Sequence, residues 1–175
     1  MTAIVTMRTE DGEAGDQFEA LYRTSADDVY AYVASLLRDR AAAEDVTALA
    51  FERAYRRRAL FDVRRGTPRA WLFAIARNAA LDELRRRRRT GALLTDVVDE
   101  SAQEAFEPEL AERRALVRLG LAELAAAERE VILLKFFGRL SNAELGRVLG
   151  CSETNAGTRL HRAVQRLREV CGVTR

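Results

Sequence analysis

Five consecutive arginines, Arg85–Arg89, end a stretch that otherwise has the spacing of a packed helix. The stretch reads WLFAIARNAALDELRRRRR and covers residues 71–89. Like charges this close along a helix repel one another and lower helix stability. We therefore expect a polyanion outside the chain to neutralise them.

A second group of polar side chains lies near the C-terminus, in SNAELGRVLGCSETNAGTRLHRAVQRLR. Ser141 and Glu144 have the spacing of a capping box, Gly150 suits a tight turn between helices, and Ser152 can cap the next helix. This pattern predicts a helix-turn-helix. The outer face of its second helix would present Asn155, Thr158, Arg159, His161 and Arg162. Such a helix fits the DNA major groove, where Arg can bind guanine and Asn can bind adenine. The alternative is an ordinary helical hairpin with a charged face.

Residues for catalysis or metal binding are not apparent. The sole histidine, His161, falls within the second helix of that motif, and no Gly-rich phosphate loop or Ser/His/Asp set is visible. Cys151 and Cys171 stand alone and have no CxxC or His/Cys cluster nearby. We expect half-buried thiols in a reducing compartment, no metal, no cofactor and no enzymatic activity.

Charge is segregated along the chain although the net charge is only +2. Residues 1–49 carry −6 and residues 50–90 carry +9, whereas residues 91–112 carry −7 and residues 113–175 carry +6. Solvated helix faces explain single charges but not this segregation. Two basic blocks around an acidic connector indicate two surfaces for one polyanion.

Hydrophobic spacing predicts an all-α fold. We expect helices over residues 26–38, 40–58, 68–89, 109–124, 127–137, 141–149 and 152–170. Pro68 suits the first turn of the third helix, and Asp39 suits the cap of the second. In the second helix we expect Val46, Leu49, Ala50, Phe51 and Ala54 to face inward. The domains expected are residues 14–90 and 113–175, joined by a flexible acidic linker over residues 91–112.

Targeting signals are not evident. No apolar run approaches the roughly 20 residues of a membrane span. The N-terminal MTAIVTMRTEDGE lacks the basic-then-apolar order of a signal peptide. We expect a cytoplasmic protein that does not insert into membranes.

Four stretches in this order resemble the extracytoplasmic-function (ECF) sigma factors, the smallest sigma-70-type promoter-recognition subunits of bacterial RNA polymerase. They are FEALYRTSADDVYAYVASLLRD, AEDVTALAFERAY, TPRAWLFAIARNAALDELRRRRR and AEREVILLKFFGRLSNAELGRVLGCSETNAGTRLHRAVQRLR. The resemblance covers roughly residues 17–90, the family's region two, and residues 110–170, its region four.

The resemblance implies a sigma factor that directs promoter recognition and opening. Region two would bind core RNA polymerase through Asp45, Ala48, Leu49 and Phe51. It would open the minus-ten element with Phe61, Arg64, Arg65, Arg77, Asn78, Arg85 and Arg86, while the other arginines of the run line strand phosphates. Region four would read the minus-thirty-five element with the five outer residues of the helix-turn-helix. Promoter DNA and core polymerase are the implied partners, and family members are commonly controlled by an anti-sigma factor.

Some positions depart from the family pattern. Ala48 and Leu49 stand where Gln and an acidic residue are frequent, and Ala156 and Gly157 stand where Val and Lys are common. Gly157 weakens a helix by about 0.5–1 kcal/mol relative to Ala, and it carries no side chain to reach DNA.

Another function class stays open at this point, a regulator that binds duplex DNA through the helix-turn-helix without polymerase.

Overall fold

The computed structural model contains seven α-helices among the residues that it describes, whose backbone covers residues 3–90 and 108–172. Side chains are described from residue 15 onward within these ranges, except at 65 and 108–111. The helices are α1 (Ala3–Leu37), α2 (Arg40–Arg56), α3 (Pro68–Thr90), α4 (Pro108–Glu123), α5 (Ala126–Phe136), α6 (Asn142–Leu149) and α7 (Glu153–Val170). No strand is present in the described part of the chain, so the predicted all-α fold is confirmed.

The first three helices pack around a common apolar core. From α1, Val29, Tyr32 and Val33 are completely buried. Leu72 and Phe73 of α3 are also completely buried. The Tyr32 and Phe73 rings lie 5.6 Å apart between centroids, within the range of favourable aromatic contacts. These residues hold α1 against α3 and leave the opposite faces of both helices for other contacts.

Helix α2 begins where the sequence predicts. The Asp39 side chain accepts a hydrogen bond of 3.0 Å from the Ala42 backbone N–H, which satisfies one unpaired donor of the first turn. The inward prediction for Leu49 is wrong, since this side chain is 36% exposed whereas Val46 and Ala50 are buried. Val46 and Ala50, four residues apart, lie at the centre of the buried face of α2. Leu49 lies at the edge of this face.

Two predicted boundaries differ from the structure. Helix α1 begins at Ala3 instead of about residue 26. Half-buried Phe18 and Leu21, which precede the predicted start, pack against the core. Helix α4 begins at Pro108, inside the range predicted as linker. Residues 91–107 lie outside the described residues, and the domain limits stay a prediction.

The C-terminal helices form the predicted helix-turn-helix, with α4 and α5 packed beside it. Gly150 adopts φ +69° and ψ +37° between α6 and α7, a left-handed conformation that glycine adopts without strain. A Cβ on Gly146 would lie 2.7 Å from the Cys151 carbonyl oxygen, so this close turn requires glycine. Both predicted caps are present, with Ser141 bonding the Glu144 N–H and Ser152 bonding the Asn155 N–H.

The two halves of the chain share one apolar core. Leu133, Leu134, Leu140 and Leu145 of the C-terminal half belong to the same buried cluster as the residues of α1, α2 and α3. Helix α5 packs on α1, and α6 packs on α3. The structure is therefore a closed arrangement in which the two predicted domains are in direct contact.

Candidate nucleic-acid interface

The outer face of α7 presents all five residues that the sequence predicts for duplex reading. Asn155, Thr158, Arg159, His161 and Arg162 are exposed. The inner face is anchored by Ala156 and Ala163, both completely buried. The helix is therefore held by one side while its polar side projects away from the protein, as major-groove insertion requires.

Packing between α6 and α7 explains why glycine occupies position 157. A Cβ placed on it would lie 3.3 Å from the Asn142 side-chain nitrogen at the start of α6, which is tighter than ordinary van der Waals contact. The glycine thus lets the beginning of α6 approach α7. This departure from the family pattern affects the junction of the two helices as well as the side chains available to DNA.

The segment between α2 and α3 contains two short 3-10 turns, Arg58–Leu60 and Val63–Arg65. The Asp62 carboxylate accepts a 2.9 Å hydrogen bond from the Arg64 backbone N–H, and the Arg64 side chain is exposed. Phe61 is half-buried and its ring lies 5.4 Å from that of Trp71. The predicted side-chain role of Arg65 lies outside the described side chains.

A cavity of about 150 Å³ separates this loop from α6. Its walls include Phe61, Gly66 and Trp71 on one side and Glu144 and Arg147 on the other. The loop predicted to capture a minus-ten base thus faces the first helix of the helix-turn-helix.

The polar residues of α3 are in three different environments. Asn78, Arg85 and Arg86 are exposed, and the two arginines form local ion pairs with Asp82 and Glu83. Arg77 is half-buried and paired with Glu130 of α5. Arg87 is buried, so it supports the fold and does not face outward with the rest of the arginine run.

Of the residues predicted to contact core polymerase, three are exposed and one is buried beneath them. Asp45, Ala48 and Leu49 are exposed along α2. Phe51 is only 7% exposed, and its ring contacts the ring of Tyr22 at 4.8 Å. Phe51 therefore fixes α2 against α1, and the outer surface is formed by its neighbours.

Sequence reasoning missed two exposed aromatic residues beside this surface. Tyr22 is 49% exposed and Tyr55 is 48% exposed. Phe18 joins them, since its ring lies 5.2 Å from Tyr55 and 6.4 Å from Phe51. Exposed aromatic rings are enriched at protein interfaces, and the FEALY and AFERAY segments contain the signal that could have revealed them.

The contacts between the two halves were also missed. Arg69 and Glu130 had no assigned role and Glu144 was assigned only to its own helix cap, because each contacts a residue more than fifty positions away in the chain. At Glu144 burial acts to raise the pKa, but hydrogen bonds from Thr67 and Ser141 dominate and lower the pKa. Glu144 thus accepts bonds from the opposite half while it caps its own helix.

Among the described residues no cluster of His, Cys, Asp and Glu could hold a metal ion. Over those same ranges, none of the helices has both the length and the apolar character needed to cross a membrane.

Comparison with known families matches both halves of the chain. Residues 21–90 match Sigma-70 region 2, and residues 114–167 match Sigma-70, region 4. The ECF RNA polymerase sigma factor SigL of Mycobacterium tuberculosis is 34% identical over 166 residues, which cover 89% of this chain and 91% of SigL. BldN of Streptomyces coelicolor, another ECF sigma factor, is 34% identical, and the matched part is 91% of this chain but 62% of BldN.

Solved structures show the same fold. The sigma factor RpoE, solved in complex with the anti-sigma factor NepR from Bartonella quintana, superposes with a TM-score of 0.76 at 25% identity. That match covers 91% of this chain and 99% of RpoE. CnrH, solved with the cytosolic domain of CnrY, has a TM-score of 0.67 at 24% identity and covers 96% of this chain and 98% of CnrH. The chain belongs to the extracytoplasmic-function sigma factors of the sigma-70 family.

Proposed function

We propose that this protein binds core RNA polymerase and directs promoter recognition and opening at the start of transcription. The observation that carries the proposal is the presence, in one chain and in the family's order, of region 2 and region 4. Region 4 ends in a helix-turn-helix whose polar face is exposed. The protein acts by binding and not by catalysis, and its place of action is the cytoplasm.

Helix α7 reads the minus-thirty-five element as duplex DNA. Its exposed Arg159 and Arg162 are one helical turn apart, so both can enter one groove. Asn155 near the helix N-terminus suits adenine, and arginine suits guanine. Thr158 and His161 complete the face and supply phosphate or base contacts.

The minus-ten element is opened by the loop before α3 and by α3 itself. Arg64 and Asn78 are exposed, and together with Phe61 and Arg65 they form the proposed path of the non-template strand. Extracting a base costs a few kcal/mol, which a shaped pocket with nearby cations can offset. The exposed Arg85 and Arg86 add phosphate neutralisation along the same helix.

Core polymerase binds the exposed surface of α2, formed by Asp45, Ala48 and Leu49. Leu49 is an apolar side chain in contact with water, and Tyr22 and Tyr55 extend the apolar area. Burial of this apolar area contributes favourable free energy to the binding of core polymerase. The charge of Asp45 orients the contact.

An anti-sigma factor is a further proposed partner. RpoE and CnrH, which share the fold, were solved with NepR and with the cytosolic domain of CnrY. The exposed apolar residues of α2 that suit polymerase equally suit a protein that competes with polymerase for the same surface.

The experiment is co-purification of the tagged protein with core polymerase, followed by DNA binding with and without core. Asp45→Arg is expected to lose core while retaining its helical circular dichroism, and Asp16→Arg, an exposed acidic position on α1, is the matched control. Promoter binding is expected to need core polymerase. Tight duplex binding in the absence of core, together with failure to bind core, would instead support a regulator that acts alone.

A further inference from the structure

The side chain of Asn142, at the start of α6, lies beside α7 where α7 carries no side chain of its own. The Asn142 amide nitrogen is 3.3 Å, and its Cγ is 3.9 Å, from the position that a Cβ would occupy on Gly157. Asn142 is half-buried, so part of the residue remains in contact with solvent. The amide therefore occupies space that a larger residue at position 157 would need.

Position 157 lies at one edge of the polar face of α7. Residues three and four apart on a helix are neighbours, with Cβ atoms about 5–6 Å apart. Thr154 precedes Gly157 by three positions and His161 follows it by four, and both are exposed. Ala156, the preceding residue, is completely buried. The Asn142 amide is thus next to the boundary between the buried face of α7 and the face predicted to meet duplex DNA.

The cap of α6 does not use the Asn142 amide. The Ser141 hydroxyl accepts a 3.2 Å hydrogen bond from the Glu144 N–H, and the Glu144 carboxylate accepts a 2.8 Å bond from the Ser141 N–H. Among the residues whose side chains are described, the Asn142 amide makes no hydrogen bond. A side-chain amide has two N–H donors and one carbonyl acceptor. Asn142 therefore keeps its hydrogen-bonding capacity for a group outside the protein.

The relation between Asn142 and Gly157 is set within the helix-turn-helix itself. Helices α6 and α7 pack directly on each other. A Cβ on Gly146 would lie 2.7 Å from the carbonyl oxygen of Cys151, so the two helices approach closely at their turn as well. Since both contacts lie inside the C-terminal half, the place of the Asn142 amide does not depend on contacts with the N-terminal half.

The DNA backbone is the group that fits this place. In a helix-turn-helix the second helix enters the major groove while the first crosses the backbone. Asn142 is the first residue of the first helix, and asparagine is among the side chains that donate hydrogen bonds to phosphate oxygens. Such contacts fix the register and orientation of a protein on the duplex and carry no sequence information directly.

We propose that Asn142 donates a hydrogen bond to a backbone phosphate of the minus-thirty-five element, and that Gly157 keeps the amide in place for this contact. A branched side chain at position 157 displaces the amide. Asn142 is thus a positioning residue for the duplex reading by α7. The inference rests on the proposed function for its DNA partner.

The test is a double-mutant cycle on the holoenzyme formed with core polymerase, bound to a duplex whose minus-thirty-five element was selected from a random library. Asn142→Ala is expected to weaken binding about tenfold, the ordinary contribution of one hydrogen bond to a charged group. Gly157→Val is expected to cause a similar loss. The double variant should bind no more weakly than either single variant, since the two changes remove one contact. Losses that multiply in the double variant would overturn the link between the two positions.

A second pair of variants separates the contact from folding. Asn142→Asp keeps the shape of the side chain, and a negative charge near a helix N-terminus is favourable, so its thermal unfolding should match the parent or occur at higher temperature. Its carboxylate repels a phosphate, and it is expected to bind duplex more weakly than Asn142→Ala. Gln17→Ala, which removes an exposed amide on α1, is the matched control and should bind as the parent does. A folded Asn142→Asp variant with parental affinity would overturn the contact.

Variants of the DNA identify the group that Asn142 contacts. The loss caused by Asn142→Ala should be even across all minus-thirty-five sequences, as for a phosphate contact. Replacement of one backbone phosphate by an uncharged methylphosphonate should weaken the parent and leave Asn142→Ala unaffected. A loss confined to one base pair would overturn the phosphate assignment. Failure of the parent holoenzyme to bind any selected promoter would contradict the proposed function itself, whereas parental binding by every Asn142 variant would overturn only this inference.

Discussion

Arg87 on α3 donates a 2.9 Å hydrogen bond to the Asp39 carboxylate at the start of α2. The same guanidinium bonds Glu83 at 2.7 Å. At Asp39 the largest influence is the Ala42 backbone N–H, which with Arg87 lowers the pKa of the carboxyl. The middle arginine of the run is therefore a structural residue that ties α3 to the cap of α2.

Arg87→Met should destabilise the fold because it leaves two carboxylates without their shared partner. Hydrogen bonds to charged groups contribute about 1.5–3 kcal/mol each, and partial exposure of Asp39 brings the expected loss to about 2 kcal/mol. Urea unfolding followed by circular dichroism measures it. Arg88→Met, at an exposed neighbouring position, is the control and should change stability little, so equal losses in the two variants would contradict the assignment.

Glu83 should give the fold a specific acid sensitivity. The hydrogen bond from Arg86, helped by one from Arg87 and opposed by burial, lowers the Glu83 pKa from 4.5 to about 2. A lowered carboxyl pKa contributes stability that is fully present above its ordinary value and is lost as the pH falls through the folded value. Because Arg86 is exposed, we expect ionised Glu83 to contribute only about 1–2 kcal/mol to the free energy of unfolding. This contribution should disappear between about pH 4.5 and pH 2.

The measurement is urea unfolding of the parent protein and Glu83→Gln from pH 7 to pH 2. Glu83→Gln is expected to be less stable at pH 7 and to converge on the parent near pH 2. A constant difference between the two proteins across this range would show that ionisation of Glu83 does not stabilise the fold.

Much of the architecture follows from local spacing. The caps at Asp39, Ser141 and Ser152 and the left-handed Gly150 involve residues within a few positions of one another, so the sequence predicts them to within a residue or two. The outer face of α7 follows in the same way, because a buried stripe on a helix determines which side chains face outward.

What the sequence did not predict depends on long-range contacts. Nothing in the spacing around Arg77 or Glu130 indicates that they pair, and the arginine run gives no local sign that Arg87 alone turns inward. The Leu49 error has a similar origin, since a shift of one position around the helix moves a side chain from the core to the exposed edge.

We predict that Arg159, Arg162 or both contact bases of the minus-thirty-five element. An arginine that contacts a base should cost about 1–3 kcal/mol when truncated and should relax preference at one promoter position, whereas a phosphate contact should weaken all sequences evenly. Arg159→Ala and Arg162→Ala are compared on a full set of minus-thirty-five variants in the holoenzyme. An even loss across the set for both variants would exclude base reading by either residue.

Asn78→Ala and Arg64→Ala should impair strand opening in a protein of normal stability, because both side chains are exposed. Permanganate reactivity of unpaired thymines on a linear promoter reports opening. A template already mismatched at minus ten should restore activity to both variants, since the cost of unpairing is removed. Equal defects on paired and mismatched templates would indicate general binding or docking instead.

Run-off transcription by the reconstituted holoenzyme tests the central claim most directly. Promoters are selected from a random library, and transcripts are compared for core polymerase alone, the protein alone, both together, and core with Asp45→Arg. Transcripts from a defined start site are expected only when the parent protein and core are combined, with strong loss for Asp45→Arg. Absence of any start site that depends on both components would contradict the assignment of this chain as a promoter-recognition subunit.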